Sequence, residues 1–254
     1  MVDTHCHLYL EDFKGQEEAV IQRALNAGVK QFLLPAIDSE SHNAMIRFEE
    51  LFIGKCFSMI GLHPCSVKEN VASELALVEE WLQKRKFYGI GEIGIDLYWD
   101  KTFYDQQIVA FKQQINWAHQ FNLPVSIHSR NATRECIDIL KSFPAGYVNG
   151  VFHCFSGQLE DAKEIIDLGL YLGIGGVVTF KNSGLDKILK EIEVRHLVLE
   201  TDSPYLSPVP YRGKVNESSY LVYVADKLGA IYSMSREEIA SVTTKNAKEI
   251  FRIE

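Results

Sequence analysis

The stretch Val2-Asp3-Thr4-His5-Cys6-His7 decides how the chain is read. It starts as a short, partly β-branched apolar run, the pattern of a buried strand. It ends in a turn that carries two histidines. An open doubly wound sheet would place a glycine-rich nucleotide turn after its first strand; here that turn is His5-Cys6-His7. The same unit recurs outward from this point. Strand candidates follow at Val29–Pro35, Cys56–Gly61, Phe87–Ile93, Leu123–His128, Tyr147–Cys154, Leu170–Gly175 and His196–Thr201, after the first at Val2–Cys6. Their near-continuous apolar character is that of parallel strands covered on both faces. Helical patterns lie between them at Glu17–Ala27, Glu40–Phe52, Ser73–Arg85, Tyr104–Phe121, Arg134–Ser142, Leu159–Leu168 and Leu185–Glu191, then at Ser219–Leu228 and Arg236–Phe251. Ala27-Gly28, Leu168-Gly169 and Leu228-Gly229 read as helix stops. Strict alternation over 254 residues predicts an α/β fold, a (β/α)8 TIM barrel, as one domain over residues 1–254.

The polar residues collect where these strands end. The first strand runs into Asp3, His5 and His7, the third into His63, the fourth into Glu92 and Asp96, the fifth into His128 and Arg130, the sixth into His153, and the eighth into Glu200 and Asp202. In a barrel those ends converge on the face where active sites are built. His5 and His7 are two apart on an extended segment and point the same way. Cys6 points oppositely, toward the helices, and Cys154 beside His153 reads as a repeat of that arrangement. Imidazoles and carboxylates together form an N/O ligand set suited to Zn²⁺ or Mn²⁺, with Mg²⁺ tolerated through the carboxylates. The set exceeds what one tetrahedral ion needs. Two divalent ions bridged by one carboxylate are the natural arrangement.

Composition bounds the alternatives. The chain is 46% hydrophobic and 24% charged, which excludes disorder. No run approaches the ~18 apolar residues of a spanning helix, so no membrane role is expected. The net charge of -8 (26 Lys and Arg against 34 Asp and Glu) lacks the basic stripe of a protein that grips long duplex DNA. The five cysteines form no CxxC, so they read as reduced thiols rather than a disulfide framework or zinc knuckle. The N-terminal residues carry no basic, cleavable leader pattern, and the expected location is the cytoplasm. No obligate protein partner is evident.

Several residues invite a plainer reading. His42 and His119 lie on helical segments and His196 starts a strand, so all three read as packing or surface groups. Asp3 reads as a ligand or as a group orienting a histidine. Asp96 reads as a loop-ordering group. Glu200, two residues before Asp202, faces the interior and needs a partner, for which Arg212 is a candidate. The glycines of Gly173-Ile174-Gly175-Gly176 read as a close-packed strand end, not a phosphate cradle. Trp81 and Trp117 read as packing groups, whereas Trp99 lies in a loop after the fourth strand. Arg130, Lys181, Arg212 and Lys214 share the same face as candidate anion binders.

At these residues the chain resembles the TatD family of metal-dependent deoxyribonucleases, within the amidohydrolase-type metal-dependent hydrolases. The motifs are VDTHCH (2–7), GLHP (61–64), GEIGID (91–96), LPVSIHSRNA (123–132), FHCFSG (152–157), ETDSPYL (200–206), PYRGKVNE (210–217) and TTKNAKEIF (243–251). The resemblance implies metal ligation by His5, His7, Glu92, His128, His153 and Asp202, with Glu92 bridging. It also implies a place for His63 near the scissile phosphate, and for Glu200 and Arg212 around the site. Family members commonly have proline where this chain has Ser218, and an acidic residue where it has Asn131. Related phosphotriesterases bridge with a carboxylated lysine; Glu92 stands there instead.

The implied activity is hydrolysis of DNA phosphodiesters, 3'-5' and exonucleolytic, on single-stranded or frayed ends. Asp202 is expected to take the proton of the attacking water, and His63 with Arg130 to stabilise charge on phosphorus. Another amidohydrolase-type enzyme acting on a small ester, lactone or amide is the alternative, since fold and metals do not fix substrate.

Overall fold

The computed structural model describes residues 1–254. Strands and helices alternate throughout: β1 (Val2–Asp3), α1 (Glu17–Asn26), β2 (Gln31–Pro35), α2 (Ser39–Leu51), β3 (Cys56–Ile60), α3 (Val71–Lys84), β4 (Gly89–Gly94), α4 (Tyr104–Phe121), β5 (Val125–His128), α5 (Thr133–Lys141), β6 (Gly150–Phe152), α6 (Leu159–Asp167), β7 (Tyr171–Ile174), α7 (Leu185–Leu189), β8 (Leu197–Leu199), α8 (Leu221–Tyr232) and α9 (Arg236–Phe251). Each strand pairs in parallel with its sequence neighbour, from β1 through β8. The (β/α)8 barrel expected from the alternation is therefore the fold.

The seam between β8 and β1 is closed above the short strands. Thr4 N donates to Leu199 O at 3.0 Å, Asp202 N to His5 O at 2.9 Å and His7 N to Ser203 O at 2.7 Å. Asp3 fastens the seam with its side chain. Its Oδ1 accepts from Thr201 N at 2.9 Å, and its Oδ2 accepts from Thr201 Oγ1 and Ser218 Oγ, both at 2.6 Å. This corrects the reading of Asp3 as a ligand or histidine partner. β1 is two residues long, so side-chain bonds complete a closure that its backbone alone leaves short.

Side-chain alternation sorts the strands into two layers. Phe32, Leu34, Cys56, Ile60, Phe152 and Leu197 face the helices in the larger core. Val2, Leu33, Phe57, Met59, Val151 and Val198 form a second, separate cluster with Ala247, Ile250, Phe251 and Ile253 from the chain's end. That inner layer plugs one end of the barrel.

Element limits differ from the sequence reading mainly at strand ends. The first, sixth and eighth strands contract to Val2–Asp3, Gly150–Phe152 and Leu197–Leu199. The residues trimmed from their C-terminal ends turn into the mouth. α4 and α9 match their expected limits, and α9 starts with a Ser235–Glu238 capping box. Gly28 and Gly169 follow helix ends with φ of 85° and 82°. Gly229 does not stop its helix: α8 continues to Tyr232 and ends at Ser233, with φ 55°. A Cβ at Gly229 would lie 2.6 Å from Met234 O, so this glycine admits the returning chain.

Candidate metal centre

Above the apolar plug, the same inward alternation carries polar side chains. Ser126 and His128 share the inner face of β5. Glu92 projects inward from β4, His5 and His7 follow β1, His153 follows β6, and Glu200 and Asp202 follow β8. Glu92, almost fully buried, is the hub. Its Oε2 lies 3.1 Å from His5 Nε2 and 3.6 Å from His7 Nε2. Its Oε1 lies 2.8 Å from His128 Nδ1, 3.4 Å from His63 Nε2 and 3.8 Å from His153 Nε2. Asp202 Oδ1 stands 3.9, 3.7 and 3.7 Å from Nε2 of His5, His7 and His153. Each oxygen of Glu92 thus faces its own set of imidazoles.

The far side of each ring sets which nitrogen faces the centre. Tyr9 OH donates its one proton to Pro35 O at 2.6 Å, so at 3.0 Å from His7 Nδ1 it can only accept. That holds the His7 proton on Nδ1 and leaves the Nε2 lone pair inward. His5 Nδ1 pairs with Ser126 Oγ at 3.0 Å, and a Cβ at Gly91 would lie only 2.8 Å from Ser126 Cβ. Asp96 Oδ2 holds His128 Nε2 at 2.8 Å, which turns Nδ1 toward Glu92. Glu200 Oε1 sits 3.0 Å from His153 Nδ1, at an angle short of a good hydrogen bond. The carboxylate still favours a proton on that nitrogen, so that Nε2 is the bare one when the ring is neutral. Such partners fix the tautomer and basicity of a metal-ligating histidine. His63 differs. Its Nδ1 accepts from Cys65 N at 3.0 Å, so its neutral ring carries the proton on Nε2 and donates toward Glu92.

Glu200 is fully buried, and a Cβ at Gly173 would sit 2.2 Å from its Oε2. The glycine makes the room. Glu200 Oε1 also accepts from Cys154 N at 2.5 Å, while Oε2 has no partner. Asp202 and Cys154 adopt left-handed backbone, with φ of 57° and 48°. For residues with a Cβ this is sparsely populated and concentrates at functional sites. Three carboxylates and five imidazoles converge here without a lysine or arginine among them. His5 with His153 and Asp202, His5 with His7 and Glu92, His63 with Glu92 and His128, and His153 with Cys154 and Glu200 each bring their ligand atoms within 4.8 Å of one another. Bare imidazole nitrogens beside buried carboxylates are the donor set of a divalent cation.

A family model described as TatD related DNase matches residues 2–252. The chain belongs to the TatD family. It is 42% identical over 256 residues to the metal-dependent hydrolase YabD of Bacillus subtilis, covering 100% of this chain and 99% of that one. The crystal structure of the TatD homologue YjjV from Escherichia coli K12 superposes with a TM-score of 0.93 at 29% identity, covering 100% and 98% of the two chains. The lactonase Lmo2620 of Listeria monocytogenes shares the fold alone, with a TM-score of 0.66 at 12% identity. The chain is therefore a metal-dependent hydrolase, and the polar mouth of its barrel is where a TatD protein would hold its metal.

Protonation in this TatD site is set by burial and close charges. Burial alone would raise the Glu92 carboxyl, but His63, His5 and His153 outweigh it and hold it well below the usual range. Burial pushes Asp202 up to about 6 against the pull of His153 and His7. Burial opposes a charge on His153, yet Glu200 and Asp202 raise it to about 10. Burial also opposes a charge on His128, and Asp96 with Glu92 raises it.

Other expectations fare differently. Asp96 orders its loop, accepting from Tyr98 N and Trp99 N at 2.9 Å each, but it also orients His128. Arg212 is not the partner of Glu200. It is exposed, with its guanidinium 3.8 Å from the centroid of Phe180, whereas Glu200 is met by His153 and Cys154 N. Arg130 is also exposed, stacked 3.8 Å from the Tyr98 ring centroid, and is not among the groups paired with Glu92. Cys154 does not repeat Cys6. Cys6 is buried, with Sγ toward Leu33 O, whereas left-handed Cys154 turns its thiol to His153 and Glu200. His119 is exposed and bonded to Tyr147 O, and His42 is buried on α2, both apart from the centre. Ser126 and Tyr9 were missed in the sequence. Ser126 carried a usable signal, since it lies two residues before His128 on one strand and so shares its face.

Proposed function

We propose that this protein is a deoxyribonuclease that hydrolyses DNA phosphodiesters at single-stranded or frayed ends, in the 3'-5' direction, with two divalent ions. The observation that carries this reading is the division of Glu92 between two imidazole sets. Oε2 with His5, His7 and Asp202 would hold one ion, and Oε1 with His128 and His153 the other. Mg²⁺, Mn²⁺ and Zn²⁺ all suit these donors. Such ions supply Lewis-acid charge to a phosphoryl oxygen and lower the pKa of water toward ~7.

The size of the barrier favours metal assistance. Hydrolysis of phosphate esters demands ~20 kcal/mol or more of acceleration, and one general base supplies roughly 10²–10⁴-fold. Asp202, held near pH 6 by burial, is poised to take a proton from the attacking water. His63 Nε2–H points at Glu92 Oε1 and is placed to donate to a phosphoryl oxygen as charge develops. Glu200 steadies His153 and acts through it. A chain of net charge -8 suits a strand end held locally better than a long duplex.

The test is turnover by protein loaded with Mg²⁺, Mn²⁺ or Zn²⁺, on 5'- and 3'-labelled single-stranded oligonucleotides beside lactones and amides. Stepwise shortening from the 3' end is expected, with circular single strands resistant. Turnover of a lactone or amide with none on any oligonucleotide would overturn the nuclease reading. Equal rates on circular and linear strands would remove its exonucleolytic part.

A further inference from the structure

The loop after β4 presents two aromatic rings to solvent although its backbone is firmly held. Tyr98 is 49% and Trp99 68% exposed. Their backbone amides are tied to Asp96, Asp96 N donates to Gln107 Oε1 at 2.9 Å, and Leu97 N donates to Arg130 O at 3.0 Å. Further along, Lys68 pairs with Asp100 at 2.8 Å. The rings meet edge to face, with centroids 4.8 Å apart. Arg130, from the loop after β5, lies 3.8 Å from the Tyr98 centroid and 5.3 Å from that of Trp99.

Arg130 has no carboxylate partner. Arg23, Arg85, Arg134, Arg195 and Arg236 each have one; Arg47, Arg212 and Arg252 also lack one, but of these four only Arg130 lies against two aromatic rings. In a protein of net charge -8, a guanidinium laid on aromatic faces with its N–H edge open is set for an anion from outside. The cluster is joined to the centre through one residue, since Asp96 binds both the loop amides and the His128 ring.

We propose that Tyr98, Trp99 and Arg130 form a subsite for an unpaired nucleobase and its adjoining phosphate, next to the centre around Glu92. The proposal rests on the nuclease reading for its substrate and extends it to how the strand is held. The exposed rings stack on a base, which any base sequence allows, and the guanidinium edge takes the phosphate. A paired base is already stacked on both sides and cannot use the platform, so the subsite selects single strands.

Binding of the metal-loaded protein to a phosphorothioate-linked hexathymidylate and to its abasic counterpart tests this, read by anisotropy and tryptophan fluorescence. The base-bearing strand is expected to bind roughly ten- to a hundredfold more tightly and to quench Trp99. Trp99→Ala should erase that preference, and Trp99→Phe should keep most of it. Equal affinity for both strands, or a preference that survives Trp99→Ala and Tyr98→Ala, would overturn the subsite. The two readings fail separately. A base preference without hydrolysis of any oligonucleotide removes only the nuclease reading. Hydrolysis without base preference removes only the platform.

Discussion

The two ends of the barrel interior use the same strands and the same alternation, yet they have opposite chemistry. At one end Val2, Leu33, Phe57, Met59, Val151 and Val198 close on the tail of α9. At the other, His5, His7, Glu92, His128, His153 and Asp202 close on one another. Each fully buried apolar side chain at the first end stabilises by about 1.5–3 kcal/mol. At the mouth, burying charge is a cost that ion pairing offsets only in part. The lesson is a division of labour along the strands: stability rests at one end, which leaves the other free to hold strained backbone and concentrated charge.

The division can be broken most severely at its hub. Glu92→Ala or His128→Ala is expected to reduce hydrolysis to background while the protein still melts cooperatively. Near-normal turnover in both variants would mean that the chemistry lies elsewhere. The opposite end answers to stability instead. Phe251→Ala should cost about 3–5 kcal/mol and lower Tm by roughly 10 °C. Its metal content per folded molecule should not change, and a loss of metal without a loss of stability would show that the ends are coupled.

Finer tests act on the outer hydrogen bonds. Tyr9→Phe removes the acceptor that holds the His7 proton on Nδ1. Metal affinity, measured against a competing chelator, should fall 10- to 100-fold. An unchanged affinity would show that the His7 tautomer is set by something else. The smallest effect concerns protons. Metal-free His153, raised to about 10, is protonated at pH 7 and must lose that proton to offer Nε2. Affinity should therefore rise with pH below that value, with proton release on binding. Calorimetry in buffers of different ionisation enthalpy measures this, and no release at pH 7 would contradict a charged His153.

Much of this molecule is legible in its sequence because the signals are local. Apolar runs alternating with amphipathic segments specify strands and helices, and eight such units specify the barrel. Parity along a strand puts His5 with His7, and Glu200 with Asp202, on one side. Residue type at the strand ends then locates the metal-binding mouth. Tertiary structure alone decided the partners. Asp3 closes the seam through Thr201 and Ser218, Ser126 supports His5 across 121 residues, and Glu200 faces His153 rather than Arg212. Only there do Arg130 and Tyr98 meet, and only there does Cys154 break its expected direction. The physical reason is that periodicity is a property of neighbours along the chain. A hydrogen bond between distant residues exists only once ring closure has fixed the height and rotation of every strand.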